Sequence, residues 1–178
     1  MQVSLANQRI LVTGASRGIG RAIAQQLSAS GAEVIVHYNE NAKAAKAVVA
    51  ELPTKAHLEA CNLANPTEVS GFIPRLVEKY GPITALVNNA GISPSASDSL
   101  PTVDWLAIWE QVMAVNATAV GILCKEFVDH ARAQGNGRIV MISSRAAFRG
   151  DTPDYLAYAA SKGALVSLMR SIARHYGK

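Results

Sequence analysis

The chain has 178 residues, 49% hydrophobic and 17% charged, which suits one soluble globular domain spanning residues 1–178 with a sizeable core. Its longest apolar runs are strand-sized and residues 1–8 lack the basic and apolar regions of a secretory signal, so no membrane span is expected and a cytoplasmic location follows. The formal net charge of +4 comes from basic residues scattered along the chain, a pattern that excludes a nucleic-acid surface and suits attraction of an anionic ligand.

Arg9-Ile10-Leu11-Val12 is a short apolar run that stops at Thr13-Gly14-Ala15-Ser16-Arg17-Gly18-Ile19-Gly20. Beyond it Ile19, Ala22, Ile23 and Leu27 recur at helical spacing, so the segment reads as strand, glycine-rich turn and helix. Glycine lets backbone N–H groups come close to a phosphate, and a helix N-terminus adds partial positive charge. An ordinary tight turn is the bland alternative, but the position between a buried strand and an amphipathic helix favours a dinucleotide site.

Glycines at 14, 18 and 20 depart from the G-x-G-x-x-G spacing of many dinucleotide folds. The pattern Thr-Gly-x-x-x-Gly-Ile-Gly resembles that of the short-chain dehydrogenase/reductase family. That resemblance implies an α/β fold, a Rossmann-like doubly wound parallel sheet, and assigns Gly14, Ser16, Arg17, Gly18, Ile19 and Gly20 to cofactor binding.

The helix is expected to end near Gly31, and residues 33–37 read as a second strand. A carboxylate at the end of this strand would favour NAD by binding the ribose hydroxyls; here stand His37-Tyr38-Asn39, with no acid before Glu40. By resemblance Tyr38 replaces the discriminating Asp, and Arg17 lies where NADP-preferring members carry a basic residue. NADP is therefore expected in preference to NAD.

Residues 41–52 read as a helix and residues 55–61 as a third strand. Asn62-Leu63 then occupies the place of the family's adenine-contacting Asp-Val. Cys61 and Cys124 lie far apart among apolar neighbours, outside any C-x-x-C pattern, and read as reduced core residues with no disulfide or metal role. Residues 66–80 read as a helix kinked or broken near Ile73 by Pro74.

A fourth strand at residues 85–87 runs into Asn88-Asn89-Ala90-Gly91, which resembles the family motif that braces the sheet and borders the cofactor, so Asn89, Ala90 and Gly91 join the candidate site. Residues 93–102 read as a loop and residues 105–134 as mostly helical. Asn116 is a polar residue within that apolar helix and reads as a satisfied buried amide. By resemblance it holds a proton-relay water.

Residues 138–142 form the expected fifth strand, ending at Ser143-Ser144. Ser144 matches the family's substrate-binding serine, with Ser143 as the runner-up; the interval from Ser144 to Tyr158 is one residue longer than the commonest family spacing, which a single-residue insertion in the loop at residues 148–153 would absorb. Tyr158 and Lys162 lie four apart on a helical pattern and so share one face. A tyrosine alone is a poor acid near neutral pH, and a fixed cation beside it favours its ionised form, which suits proton transfer at a carbonyl or hydroxyl. Position 159 is Ala at one end of this spacing and leaves Tyr155 without a lysine partner.

The resemblance implies an oxidoreductase moving a hydride between nicotinamide and a small-molecule carbonyl or secondary alcohol, with Asn116, Ser144, Tyr158 and Lys162 catalytic, Tyr158 and Lys162 also touching the cofactor, and no metal. It is nearest to 3-oxoacyl-carrier-protein-reductase-like and to sugar or steroid dehydrogenase-like members, which commonly form homodimers or homotetramers through two long helices. Family members continue past the fifth strand into further strands and a substrate lid, so the fold is expected to be C-terminally incomplete, with an apolar face uncovered. A non-catalytic dinucleotide-binding module or a truncated inactive fragment is the competing reading.

Overall fold

The computed structural model describes residues 4–177. Five strands, β1 (Arg9–Val12), β2 (Glu33–Tyr38), β3 (Ala56–Ala60), β4 (Ala85–Asn88) and β5 (Arg138–Met141), pair in parallel in the order β3-β2-β1-β4-β5. Between and after them run α1 (Gly18–Ala29), α2 (Ala42–Glu51), α3 (Pro66–Val69), α4 (Phe72–Tyr80), α5 (Thr102–Met113), α6 (Ala119–Gln134), α7 (Ala146–Arg149) and α8 (Leu156–Tyr176). This is the doubly wound parallel architecture expected from the sequence.

Strand register explains why the strands read as continuous apolar runs. Leu11 lies opposite Ile35 and Leu86, and all three enter one core with Phe72, Leu123 and Phe127. Their neighbours Ile10, Val12, Val34, Val36 and Val87 enter a second core on the opposite face, against Ala24 and Val48. Both faces of the sheet are covered, so the alternation of a half-exposed strand is absent.

Strand order reverses at β1: β2 and β3 continue to one side, β4 and β5 to the other. Such a reversal opens a crevice beyond the carboxyl ends of the two diverging strands. The glycine-rich turn after β1 and the Asn-Asn-Ala-Gly segment after β4 are thereby brought to one edge.

Two sequence expectations are corrected. The interruption expected near Ile73 is a break rather than a kink, and it lies at Ser70-Gly71 instead of at Pro74: α3 ends before Ser70, and α4 begins after Gly71, whose φ of 78° supplies a left-handed turn. Pro74 then falls in the first turn of α4, where amides lack intrahelical partners and proline removes no bond. The Glu126 carboxylate of α6 accepts the Gly71 N–H and, at 3.2 Å, the Ile73 N–H, which fixes the start of α4 from outside.

The expectation that no segment is long and apolar enough to cross a membrane is also corrected. Thr102–Gln134 is helical over 33 residues, with a mean hydropathy of 1.4 in an 18-residue window, long and apolar enough by length and composition to cross a membrane. Alanines interspersed among the Val, Ile and Leu residues raise the average without joining them into one long apolar run. In the fold this segment instead lays Ala119, Val120, Leu123 and Phe127 against the sheet.

As expected, one edge is uncovered. Val140 of β5 is 47% exposed, and beside the strand a groove of about 670 Å3 is lined by Phe127, Ile139, Met169, Ile172 and Tyr176. Cys61 and Cys124 are free and buried, and burial pushes both thiols up to about 11, consistent with inert core residues.

Candidate active site

The glycine-rich turn is tied to β4 by Thr13. Its hydroxyl accepts the N–H groups of Asn89 and Ala90, both at 3.0 Å, and donates to the Val87 carbonyl at 3.3 Å. In return the Asn89 side-chain amide donates to the carbonyls of Thr13 at 2.8 Å and Gly14 at 3.2 Å. Gly20 has to be glycine because a Cβ there would stand 2.4 Å from the Gly14 oxygen and 2.5 Å from Asn89 Nδ2.

No side chain caps the N-terminus of α1, which begins after Arg17, and its first turn carries no acid. The first amides of a helix have no intrahelical partner, so this end favours an anion. It opens on a cavity of about 640 Å3.

Gly14, Ser16, Arg17, Gly18, Ile19 and Gly20 line one side of that cavity. Tyr38 with Asn62 and Leu63 lines a second, and Asn89, Ala90 and Gly91 a third. The Asn62 side-chain oxygen is already engaged, accepting the Ala64 N–H at 3.0 Å, and the Asn62 backbone N–H donates to the Glu68 carboxylate at 2.9 Å. Sequence reasoning left out other lining residues, among them His37, Glu40 and Gln111. A histidine ending a fully apolar strand was the available signal for His37.

The second half of the site lies behind Gly91. Asn116 sits in a π-helical turn, Ala114–Thr118, that joins α5 to α6. Its oxygen accepts the Ile92 N–H at 2.8 Å, while its amide donates to the Ile92 carbonyl at 2.9 Å and to Ser161 Oγ at 3.0 Å. Ser161, a residue sequence reasoning missed, donates to the Tyr158 carbonyl at 2.7 Å and so connects Asn116 to the helix bearing Tyr158 and Lys162.

Lys162 is 4% exposed and donates to the Ile142 carbonyl at 2.9 Å. Its Nζ lies 5.7 Å from the Tyr158 ring centre, so the two share a face as their spacing requires. Burial pulls the Lys162 pKa below the ordinary lysine value. A Cβ on Gly91 would lie 3.3 Å from Asn116 Oδ1 and 3.4 Å from Lys162 Nζ, so only a glycine's width separates these groups from the cavity. Tyr158 and Lys162, also assigned to the cofactor from sequence, are not among the residues lining the cavity itself.

The two serines after β5 differ in occupation. Ser143 Oγ donates to the Lys162 carbonyl at 3.2 Å, whereas Ser144 Oγ accepts the Ala146 N–H at 3.2 Å and keeps its own hydrogen available. The short helix α7 and residues 150–152 take up the interval from Ser144 to Tyr158. Tyr155 falls in a 3-10 turn, Pro153–Tyr155, ahead of α8. A buried ammonium and a phenol on α8, with a hydroxyl that keeps its hydrogen just after β5, are the types of group that proton transfer at a substrate oxygen requires.

Residues 8–178 match the short chain dehydrogenase family. A 3-oxoacyl-[acyl-carrier-protein] reductase of Synechocystis sp. is 37% identical over 174 residues, which cover 96% of this chain and 69% of the relative. A 3beta-hydroxysteroid dehydrogenase of Mediterraneibacter gnavus is 35% identical, covering 94% of this chain and 60% of the relative. Among solved structures, a short chain dehydrogenase from Burkholderia cenocepacia in complex with NADP superposes with a TM-score of 0.86 at 37% identity, over 97% of this chain and 70% of that one. A metagenomic short-chain oxidoreductase in complex with NADP gives a TM-score of 0.86 at 34% identity, over 96% of this chain and 76% of that one. The chain thus spans 60% to 69% of the length of the two curated relatives. Because the family match runs over residues 8–178 and the Synechocystis relative is 37% identical over 96% of this chain, the chain belongs to the short chain dehydrogenase family.

Proposed function

We propose that this chain carries the cofactor-binding and catalytic residues of an NADP-preferring oxidoreductase that moves a hydride between nicotinamide and a carbonyl or secondary alcohol. The observation that carries the reading is the placement of Lys162, buried and 3.4 Å from the Cβ position of Gly91, directly behind a residue lining the same cavity as the uncapped N-terminus of α1. NADP, when bound, supplies the hydride chemistry.

The residues fit such a ligand. Amides of the glycine-rich turn and α1 would hold the diphosphate, Asn62 and Leu63 would flank the adenine, and Asn89, Ala90 and Gly91 would form the floor. Arg17 and Tyr38, with the carboxylate-free end of β2, support a 2′-phosphate, while Glu40 lines the same cavity as the one acid among those named here. NADP complexes of the two structural relatives lean the same way.

Ser144 and Tyr158 would hold the substrate oxygen, and Tyr158 would pass the proton. Lys162 keeps two hydrogens beyond its bond to Ile142, enough to reach a ribose hydroxyl and the phenol side. Asn116 has both amide hydrogens engaged, so the free lone pair of its oxygen is what remains to hold a relay water. Location in the cytoplasm and assembly through the helical segments 105–134 and 158–176 belong to the same proposal, the latter supported by exposed Leu106 and Met169.

The test is turnover of NADPH against a panel of carbonyl substrates by wild type and Tyr158→Phe. The substitution should lower turnover by roughly two to four orders of magnitude and leave NADPH affinity nearly intact. Equal turnover in both would remove Tyr158 from the mechanism. Binding without turnover in the wild type would favour a dinucleotide-binding module.

A further inference from the structure

We infer that His37 is a positioning residue that sets the geometry of the dinucleotide cleft by strapping the glycine-rich turn to its adenine-side wall; the inference rests on the dinucleotide reading above. The ring is 1% exposed at the end of β2, between the elements that bear the two walls. Its Nδ1 lies 3.0 Å from the Gly14 amide nitrogen, and its Nε2 lies 3.0 Å from the Cys61 carbonyl oxygen. The edge of the ring meets Phe72, with centroids 5.7 Å apart.

These partners determine the tautomer. Gly14 can only donate, so Nδ1 carries no hydrogen; Cys61 offers only a carbonyl, so Nε2 carries the hydrogen and donates it. Both ring nitrogens are satisfied by backbone, one on each wall. Gly14 opens the turn whose residues from Ser16 onward line the cavity, and Cys61 immediately precedes Asn62 and Leu63. A second backbone bond, Ala15 N–H to the His37 carbonyl at 2.9 Å, anchors the turn to the same residue.

The bond to Gly14 also gives that amide a partner inside the protein, so the phosphate is left to the amides that follow. Gly14 has a φ of 62°, a conformation that the strap holds and that places its carbonyl toward Asn89. Without the acceptor at Nδ1 the turn loses the contact that orients its first residue, although the fold retains the other face of the ring.

Side-chain isosteres separate the two halves of the strap. In His37→Asn the amide oxygen can stand in for Nδ1 and accept from Gly14; in His37→Gln the longer amide can stand in for Nε2 and donate to Cys61; His37→Leu does neither. The experiment measures NADPH dissociation constants by fluorescence titration of the full chain, with melting temperatures of the same samples. The expected result is NADPH binding about tenfold weaker in His37→Leu and His37→Gln, the effect of one hydrogen bond, and restored to within about threefold in His37→Asn. Affinity that simply follows melting temperature across the three variants, or stays at the wild-type value in folded His37→Leu, would overturn the positioning role. Wild type that binds neither NADPH nor NADH would instead bring down the dinucleotide reading on which the inference stands.

Discussion

Gly91 and Lys162 approach so closely that a methyl group on the glycine would stand 3.4 Å from the lysine Nζ and 3.3 Å from Asn116 Oδ1. The missing side chain is what allows a buried ammonium and a buried amide to reach the same wall of the cofactor cavity. Gly91→Ala should therefore displace both by a few tenths of an ångström without disturbing the core. Turnover is expected to fall about tenfold, since misplacement of about 1 Å costs roughly a hundredfold, while NADPH affinity changes less than about threefold. Steady-state kinetics beside fluorescence titration checks this, and an unchanged turnover number would show that the contact has slack.

Asn116 connects three segments through one side chain. Replacing it by the similarly shaped Leu leaves the Ile92 N–H and carbonyl without their partner in the interior and removes the bond that Ser161 Oγ accepts, while the Ser161 hydroxyl still donates to the Tyr158 carbonyl. Each unsatisfied buried group costs about 1–3 kcal/mol, though relaxation of the Ile92 loop toward solvent recovers part of it. Asn116→Leu should be destabilised by roughly 2–4 kcal/mol in urea unfolding, with turnover lost as well. A loss under about 1 kcal/mol would mean that the π-turn holds without this bracket.

Arg17 offers a sharper test of cofactor choice because it lines the cavity with its side chain exposed and takes part in none of the ion pairs found among the described residues. Loss of a charge-assisted contact to a 2′-phosphate is worth about 1.5–3 kcal/mol. Arg17→Ala should raise KM for NADPH by roughly ten- to a hundredfold and leave KM for NADH unchanged. Equal effects on both cofactors would assign Arg17 to the diphosphate, and no effect on either would leave it a solvated turn charge.

The sheet was legible in the sequence because parallel strands covered on both faces must be apolar throughout, as Ile10-Leu11-Val12 and Val34-Ile35-Val36 are. The glycine-rich turn was legible for a different reason: its spacing reports backbone geometry directly, as Gly20 against Gly14 confirms sterically. What could not be read is what sequence-distant pairs decide. The π-turn at Asn116 leaves the apolar periodicity of the helix unbroken, and the break at Gly71 depends on a carboxylate from Glu126, 55 positions away. Thr13, His37 and Ser161 look like ordinary small or strand residues until β1, β4, β3 and α8 are brought together around them.

His37 yields a prediction about acid stability whose sign follows from its environment. Burial draws its pKa from 6.5 down to about 4, partly opposed by the bond to the Cys61 carbonyl, because a charged ring could not remain desolvated and would set a hydrogen on Nδ1 against the Gly14 N–H. A histidine with a depressed folded pKa contributes stability that is fully present above its unfolded value and is lost as pH falls, here through the window from 6.5 to about 4. The loss over that window amounts to roughly 3 kcal/mol. Glu33 adds to it at lower pH: the Arg9 guanidinium, bonded at 2.9 Å, and His57 hold its carboxyl at about 2 against desolvation, so its contribution disappears as pH falls from 4.5 toward 2. Urea unfolding of wild type and His37→Asn at pH 7, 5.5 and 4 separates the two groups, since the Asn variant has no group to protonate in the upper window. The difference in stability between them should shift in favour of the Asn variant as pH falls from 7 to 4, and a difference constant across that range would show that the His37 ring titrates alike in the folded and unfolded chain.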